Sequence, residues 1–357
     1  ARLSGHEFGL LLEDLSQPED AAGVAVKVMD LFPLNLREGE ADICIQARAG
    51  GAVYPEDGRN ALALLEHAEM ALRGSIHEAP GICTFYTPDL DGAYRRRQTL
   101  ERELRSVLNR DELSLAYQPV VDLASGRVVA VEALLRWRNP ALGEVSPAVF
   151  VPLAEDSGLI VAIGAWALGE ACRQLGAWRE AGIEGLTMAV NVSARQLLDP
   201  ELVAQVEART REAGFAPDCL ALEVTETAVI QDVAAASVHL SALRDLGIKI
   251  SIDDFGTGYA SLSYLSRLPA QQIKIDRTFL HAGADGGPEV PVIRAVISLG
   301  ESLGLAVVAE GVETAEQLAL LRRLGCPFVQ GNAIAPALPG DRVPEVIRSR
   351  ERPVQPA

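Results

Sequence analysis

From Leu113 onward, short apolar runs that end in a polar residue alternate with longer amphipathic segments. Eight such runs are predicted to be strands: residues 113–121, 127–137, 186–193, 220–226, 248–254, 272–276, 305–313 and 328–331. Apolar runs of this length are typical of strands that are buried on both faces. Eight strands with intervening helices over about 240 residues predict an α/β fold of the (β/α)8, TIM-like barrel type.

Apolar residues at three- and four-residue spacing predict the helices between these strands. The predicted helices cover residues 159–181, 201–213, 233–246, 292–303 and 315–324. Gly247, Gly304 and Gly325 follow three of them, where a glycine commonly ends a helix. The first two strand-like runs are joined by residues 124–127 with no helix between them. We therefore expect a hairpin there and one antiparallel strand in the barrel.

The residues before the barrel have a different pattern, which predicts a mixed α+β fragment. Residues 10–12 and 43–45 are strand-like, and residues 20–32 and 60–73 are helical in their spacing. A charged helix is predicted over residues 94–110. The resulting organisation is an N-terminal fragment, a linker helix, the barrel and a tail, with the ranges 1–92, 93–110, 111–345 and 346–357.

Composition narrows the classes of function. The chain has 357 residues, of which 48% are hydrophobic, so it can bury a sizeable core. Its 32 basic and 49 acidic residues give a net charge of −17. This balance argues against binding to DNA or RNA through phosphate neutralisation, and against contact with an anionic membrane surface. A small anionic ligand remains compatible with it if a metal ion supplies positive charge.

The cellular compartment is also predicted from the sequence. Five cysteines without a CxxC pair are typical of free thiols in a reducing compartment. No apolar run approaches the roughly 18 residues of a membrane span, and the N-terminus lacks a signal-peptide layout. We expect a cytoplasmic chain, although the intact protein could be tethered to a membrane through upstream segments.

Polar residues interrupt or follow the apolar runs, and most of them carry oxygen. They are Gln118, Glu132, Arg136, Asn191, Glu223, Asp253, Asp254, Lys274, Glu310, Glu313 and Gln330. Catalytic groups of such barrels lie at the C-terminal ends of the strands. Converging carboxylates repel one another unless protons or cations are shared among them, and oxygen ligands favour Mg²⁺ or Mn²⁺. Adjacent Asp253 and Asp254 suit a site for two metal ions.

Lysine is scarce in this chain. Lys27, Lys249 and Lys274 are the three lysines among 32 basic residues. Lys274 lies in a strand-like run among the acidic residues, and near metal ions its pKa should be depressed, which would help it exchange a proton with water. The alternative is an ion pair in the barrel interior. Lys249 lies at the opening of its strand and is predicted to be structural.

These residues resemble a known family. Glu132-Ala-Leu134, followed by Leu135-Arg136-Trp137, resembles the signature of EAL-domain cyclic di-GMP phosphodiesterases. Further motifs continue the resemblance in the same order: Asn191-Val-Ser193, Glu223-Val-Thr-Glu226, Asp253-Asp-Phe-Gly-Thr-Gly-Tyr259, Ile273-Lys-Ile-Asp276, Ala309-Glu-Gly-Val-Glu313 and Gln330-Gly331. The resemblance covers about residues 95–345 and is specific as a set.

The resemblance implies metal-dependent hydrolysis of cyclic di-GMP to linear pGpG, with Mg²⁺ or Mn²⁺ as two ions. It implies metal ligands at Glu132, Asn191, Glu223, Asp253, Asp254 and Glu310. Lys274 would orient or activate the attacking water, so the implied catalytic set is Lys274, Glu310, Glu132 and Asp254. Substrate contacts are implied at Gln118, Leu135, Arg136 and Gln330. Support of the loop after Asp254, and of the metal ligands, is implied for Glu226, Glu313, Gly256 and Gly258.

The chain departs from the family pattern in two places. Asn332, Pro336 and Ala337 stand where the family commonly has an aromatic residue and then a basic residue before proline. Residues 1–92 resemble the second half of a GGDEF, or diguanylate cyclase, domain: Ser4-Gly-His-Glu-Phe8 replaces Gly-Gly-Asp-Glu-Phe. Because His6 replaces an acid and the first half is absent, we do not expect cyclase activity.

Two other functions stay open on the sequence alone. One is a catalytically silent cyclic di-GMP receptor, and the other is a different metal-dependent barrel hydrolase. The resemblance also implies a homodimer through the barrel and regulation by an upstream sensory domain.

Overall fold

A computed structural model describes residues 1–351 apart from residues 14, 16, 18–19, 39–40, 76–79, 257–264, 266–267 and 281–289. The chain divides into two compact units, residues 1–102 and residues 103–357.

The first unit contains two small sheets and flanking helices. Its elements are α1 (Asp20–Met29), β1 (Leu34–Glu38), β2 (Ala41–Ile45), β3 (Ala49–Gly51), α2 (Ala61–Gly74), β4 (Cys83–Phe85) and the start of α3 (Pro88–Leu104). β1 and β2 pair antiparallel, and β3 pairs with β4 in parallel. Asn60 caps α2, since its side-chain oxygen accepts from the Ala63 N–H. The predicted helices at residues 20–32 and 60–73 and the predicted strand at residues 43–45 are confirmed.

Two expectations for this region are wrong. Residues 10–12 do not form a strand, because a strand requires a hydrogen-bonded neighbour and none pairs with them among the described residues. The charged helix begins at Pro88 rather than near residue 94, because proline is favoured in the first turn of a helix. The expected boundary between residues 92 and 93 therefore falls inside α3.

The second unit is an eight-stranded closed barrel. Its strands are β5 (Leu113–Asp122), β6 (Val128–Asn139), β8 (Thr187–Asn191), β9 (Leu220–Thr225), β10 (Lys249–Phe255), β11 (Gln272–Ile275), β12 (Ala306–Ala309) and β13 (Phe328–Gln330). A short strand, β7 (Gly143–Val145), pairs with the end of β6. All eight strands predicted from the sequence are present.

One barrel strand runs against the others. β5 is antiparallel to both of its neighbours, β6 and β13, whereas the remaining neighbours are parallel. The turn at residues 123–127 is too short for a crossover helix, and this produces the predicted hairpin.

Helices surround the barrel. They are α4 (Pro147–Ser157), α5 (Ile160–Glu180), α6 (Ala194–Leu197), α7 (Leu202–Ala213), α8 (Glu226–Gln231), α9 (Val233–Asp245), α10 (Val290–Leu303), α11 (Ala315–Leu324) and α12 (Val343–Glu351). Gly247, Gly304 and Gly325 have positive φ, as expected for residues that end helices. Within the described residues, no helix is long and apolar enough to cross a membrane.

The far end of the chain also differs from the expected tail. Val343 and Ile347 of α12 are buried in the core of the barrel unit, so the expected boundary between residues 345 and 346 falls inside a packed helix.

Alternation along the strands separates two environments. Side chains such as Val131, Val190, Leu222, Ile252 and Ile273 lie in the core. Because successive side chains of a strand point to opposite faces, the residues between them point to the other side of the barrel wall. This second set contains the polar residues that the sequence analysis singled out.

Candidate active site

Seven polar side chains share the interior face of the barrel. They are Gln118, Glu132, Asn191, Glu223, Asp253, Lys274 and Gln330. The register brings them close in pairs: Gln118 lies opposite Glu132, and Asn191 lies beside Glu223. Glu310 directly follows β12 and donates its backbone N–H to the carbonyl of Ile275. The C-terminal ends of the strands thus gather the expected cluster.

The ammonium of Lys274 lies at the centre of this cluster. Its Nζ lies 2.7 Å from Glu223 Oε2, 3.1 Å from Glu132 Oε2 and 3.7 Å from Asp253 Oδ1. It also pairs with the Glu310 carboxylate. The Lys274 side chain is 1% exposed, so a single buried cation faces four carboxylates. One ammonium cannot balance four carboxylates, so protons or cations must supply the remaining positive charge.

Amide side chains hold Glu132 from both sides. Asn191 Nδ2 donates to Glu132 Oε1 at 2.7 Å, and Gln330 Nε2 donates to Glu132 Oε2 at 2.7 Å. Gln330 Nε2 also donates to Gln118 Oε1 at 3.1 Å. Two donors on one carboxylate fix its orientation and favour its charged form.

Burial and neighbouring charges separate the two central glutamates. Burial opposes ionisation of Glu132, but the Lys274 charge and the amide hydrogen bonds outweigh it and hold the pKa of Glu132 below its usual range. Glu223 lacks those amides, so burial and then the Glu132 charge raise its pKa well above the usual value.

The outer acids of the cluster also hold protons more tightly than usual. Burial, opposed by Lys274, raises the pKa of Glu310 to about 8. Burial and then the neighbouring charge of Asp253 raise the pKa of Asp254 to about 6. Burial raises the pKa of Asp253 as well. Cations that bind these oxygens must therefore compete with protons.

The backbone turns sharply where β10 ends. Asp254 has φ of 54°, an uncommon value for a residue other than glycine, and its N–H donates to Asp253 Oδ1 at 2.9 Å. Gly256 has φ of 96°, and its N–H donates to Glu226 Oε2 at 3.2 Å. Glu226 is 1% exposed and holds the first part of the loop from inside. Gly258, expected to contribute here, lies outside the described residues.

Three expected residues are not brought to the cluster. Leu135 lies on the opposite face of β6 from Glu132 and packs against the core. Arg136 Nη1 donates to the carbonyl of Leu135 at 2.8 Å, so its guanidinium is turned toward its own strand. Glu313 is exposed, and its backbone N–H donates to Gln317 Oε1 in the cap of α11.

The Lys274 ammonium is surrounded by carboxylates from four parts of the chain. Burial would lower the pKa of Lys274, but the four surrounding carboxylates raise it well above its usual value. The depressed pKa predicted for Lys274 concerns a site that holds metal ions, whose charge offsets these carboxylates, and it stays a prediction. Lys249, by contrast, lies at the opening of β10 and donates to Thr187 Oγ1 at 3.0 Å, consistent with the structural role predicted for it.

Asp276, which lies in one of the quoted motifs, is an acid of the site that was not predicted to be a site residue. The Asp276 carboxylate is close enough to raise the pKa of Asp254, by its charge and through a side-chain hydrogen bond. Asp276 ends the predicted strand at residues 272–276, so the strand-end rule could have found it. Its Oδ1 accepts from the Thr278 N–H at 2.9 Å, which fixes its position.

The donor set fits an oxygen-preferring metal ion. Within the described part of the chain, no three His, Cys, Asp or Glu side chains are arranged so that they could hold a metal ion. The carboxylates of the cluster contact the Lys274 ammonium instead. Yet the cluster offers only oxygen ligands and a surplus of negative charge. Gln330 Oε1 is also buried without a hydrogen-bond partner among these residues. Glu132, Asn191, Glu223, Asp253, Asp254 and Glu310 are the side chains that could hold Mg²⁺ or Mn²⁺.

Comparison with protein families gives two matches. A model described as the EAL domain matches residues 101–337, which is more than half of the chain. A model described as the diguanylate cyclase, GGDEF domain, matches residues 1–78.

Curated relatives of this chain are longer proteins. The chain is 40% identical over 343 residues to the bifunctional diguanylate cyclase/cyclic di-GMP phosphodiesterase MucR of Pseudomonas aeruginosa, covering 96% of this chain and 50% of MucR. It is 38% identical over 349 residues to the cyclic di-GMP phosphodiesterase NbdA of the same organism, covering 98% of this chain and 44% of NbdA. The chain thus spans about half the length of these relatives.

A solved structure matches the barrel. The phosphodiesterase of MucR in complex with c-di-GMP is 44% identical, with a TM-score of 0.66 over 69% of this chain and 99% of that chain.

Proposed function

The chain belongs to the EAL domain family, and we propose that its barrel hydrolyses one phosphodiester bond of cyclic di-GMP to give linear pGpG. The observation that carries the proposal is the interior cluster of Glu132, Asn191, Glu223, Asp253 and Lys274, which lies within the range that the EAL family model matches. The relatives named as phosphodiesterases and the c-di-GMP complex of the similar barrel support this substrate.

Divalent-metal dependence is general in this family. We infer that this barrel uses two ions, Mg²⁺ or Mn²⁺. Glu132, Asn191, Glu223 and Asp253 would hold one ion, and Asp254 would hold the second, with Asp253 and Glu310 beside it. When bound, such ions activate water at neutral pH and offset the charge that develops on the phosphate oxygens. A cation bound at this position would also offset the charge of the buried carboxylates that surround Lys274.

The protein side chains divide the remaining work. Lys274 orients the attacking water and exchanges a proton with it, and the amides of Asn191 and Gln330 keep Glu132 oriented and charged. Hydrolysis adds the water oxygen to phosphorus and breaks the P–O3′ bond, so the 3′ oxygen leaves as a hydroxyl and the phosphate stays on the 5′ side of pGpG. The proton that water loses passes through Lys274 to the leaving 3′ oxygen.

Substrate contacts are assigned to Gln118, Arg136 and Gln330. Gln118 lies beside Glu132 on the interior face, and Gln330 lies in the same hydrogen-bonded group. Arg136 would turn from the carbonyl of Leu135 toward a phosphate or a guanine edge, both of which its planar fork can bind. Leu135 would contribute through its backbone, since its side chain packs on the other face.

The assay is direct. The full chain is incubated with cyclic di-GMP and either Mg²⁺ or Mn²⁺, and the products are separated by chromatography. Formation of pGpG supports the proposal. Tight binding without any product would favour the alternative function, a silent cyclic di-GMP receptor. The absence of both binding and turnover would contradict both functions.

The setting of the enzyme is also part of the proposal. We infer a cytoplasmic barrel that pairs with a second copy of itself and receives its signal from an upstream sensory domain. The separation of family matches at residues 1–78 and 101–337 supports an arrangement in which a GGDEF-like fragment precedes the barrel. His6 and Ser4 lie in an exposed turn of that fragment, and we propose no cyclase activity for it.

A further inference from the structure

Two amide side chains connect the carboxylate cluster to the segment that follows the last barrel strand. We call residues 331–340 the strap. Gln330 Nε2 donates to Glu132 Oε2 and to Gln118 Oε1, and Gln118 Nε2 donates to the strap carbonyl of Ala335 at 3.3 Å. The hydrogen bonds therefore run in series from the strap to Glu132, and we call this series the relay.

The two ends of this series determine which way each amide faces. The Ala335 carbonyl can only accept, so Gln118 must present its nitrogen to the strap and its oxygen to Gln330. Gln330 then presents its nitrogen to Gln118, and both hydrogens of that nitrogen are used, one on Gln118 and one on Glu132. The oxygen of Gln330 is left buried without a donor among the described residues. A reversed amide at either position would place oxygen against oxygen.

The strap itself is held firmly by its backbone. β13 pairs with β5 only at Val120, Val121 and Asp122. Farther along β5, Tyr117 and Leu338 exchange two backbone hydrogen bonds of 2.7 and 2.9 Å, so the strap continues the closure of the barrel. The indole N–H of Trp178 also donates to the Gly340 carbonyl at 3.0 Å. The pairing of β13 before Ala335 and the contacts of Leu338 and Gly340 after it fix the position of the Ala335 carbonyl.

The departures from the family pattern lie on this strap. Asn332 and Pro336 are exposed, whereas Ala335 is buried and acts through its carbonyl oxygen. Because the described contacts of the strap with β5 and Gln118 are made by backbone atoms, they tolerate these changes of side chain.

We propose that Gln118 is a positioning residue that acts through Gln330 on Glu132, and that the strap locks this relay in the orientation that prepares Glu132 to bind a metal ion. This inference rests on the proposed function, because it takes Glu132 as a metal ligand. It gives Gln118 a second task besides substrate contact, one that operates before substrate arrives.

The test measures Mn²⁺ binding by calorimetry on the full chain without cyclic di-GMP. Gln118→Met and Gln330→Met keep the length of the side chain and remove its hydrogen bonds. Each is expected to weaken Mn²⁺ binding by about 10-fold, as for other residues that orient metal ligands. The double variant should match Gln330→Met alone, because Gln118 acts through Gln330.

Gln272→Met is the matched control. Gln272 is an interior amide of the same barrel, and it donates to Ser251 Oγ at 3.1 Å, not to the Glu132 group. Its variant should bind Mn²⁺ as wild type does. Unchanged binding in Gln118→Met, additive losses in the double variant, or an equal loss in Gln272→Met would overturn the relay. A wild-type chain that neither binds Mn²⁺ nor makes pGpG would overturn the proposed function itself, and the relay with it.

Discussion

The ammonium of Lys274 lies 2.7 Å from Glu223 Oε2, and the two side chains are 1% and 2% exposed. An ion pair buried to this degree stabilises the fold only while both partners remain, because either charge alone is costly to keep away from water. The same lysine is the residue proposed to handle the attacking water. The Lys274 side chain is therefore expected to contribute both to the stability of the fold and to catalysis.

We predict that Lys274→Met lowers both turnover and stability. The variant leaves buried carboxylates without their cation, which should cost about 3 kcal/mol of unfolding free energy. Urea unfolding of the metal-free variant and wild type measures this loss. Added Mn²⁺ should recover more stability in Lys274→Met than in wild type, while pGpG formation stays abolished. A variant that hydrolyses cyclic di-GMP at the wild-type rate would remove Lys274 from the catalytic assignment.

Metal binding is predicted to strengthen as pH rises. The pKa of Asp254 is raised to about 6 and that of Glu310 to about 8, so protons occupy these oxygens at low pH and must leave when a cation binds. Mn²⁺ affinity should increase between roughly pH 5.5 and pH 8.5, with proton release on binding. Calorimetry in two buffers of different ionisation enthalpy counts the released protons. Binding that weakens with rising pH would contradict the assignment of these acids.

The turn after β10 gives a matched pair of glycine variants. Gly256 and Gly182 both have positive φ, 96° and 84°, and each alanine variant should lose about 1 kcal/mol of stability. Gly256→Ala also meets the ring of Phe279 at 3.1 Å, whereas nothing lies within 4 Å at Gly182. Turnover should fall in Gly256→Ala, because the loop beside Asp254 shifts, and should stay at the wild-type level in Gly182→Ala. Equal turnover in the two variants would show that this turn does not position the site.

Much of the barrel site was predictable because alternation and strand ends are both visible in the sequence. Glu132, Asn191, Glu223, Asp253 and Lys274 occupy interior positions of successive strands, and a regular strand pattern places them together without knowledge of side-chain rotamers. Asp276 obeys the same rule and was overlooked.

The rest depended on contacts that the sequence does not encode locally. The direction of the Arg136 guanidinium depends on its side-chain rotamer, which the sequence pattern does not give. The face occupied by Leu135, in contrast, follows from strand alternation and could have been predicted. The raised pKa of Lys274 depends on four carboxylates from four parts of the chain. In the N-terminal unit, residues 10–12 have strand-like composition but no described pairing partner, so composition alone gave the wrong result.

Cysteine reactivity provides a separate check on the packing. Burial raises the pKa of the Cys172 and Cys326 thiols to about 12, so they carry almost no thiolate at pH 8. Cys44 is exposed. Maleimide labelling of the folded chain, mapped by mass spectrometry, should modify Cys44 first and reach Cys172 and Cys326 only after unfolding. Labelling of Cys172 as fast as Cys44 would show that the helices around the barrel are not packed as described.

The most direct test of the account is hydrolysis in ¹⁸O-labelled water. With cyclic di-GMP and Mn²⁺, the wild-type chain should produce pGpG that carries one labelled oxygen in its 5′-phosphate. Glu132→Gln, which keeps the shape of the side chain but removes its charge, should produce none. Absence of labelled pGpG from the wild-type chain with either Mg²⁺ or Mn²⁺, or hydrolysis by Glu132→Gln at the wild-type rate, would contradict the account.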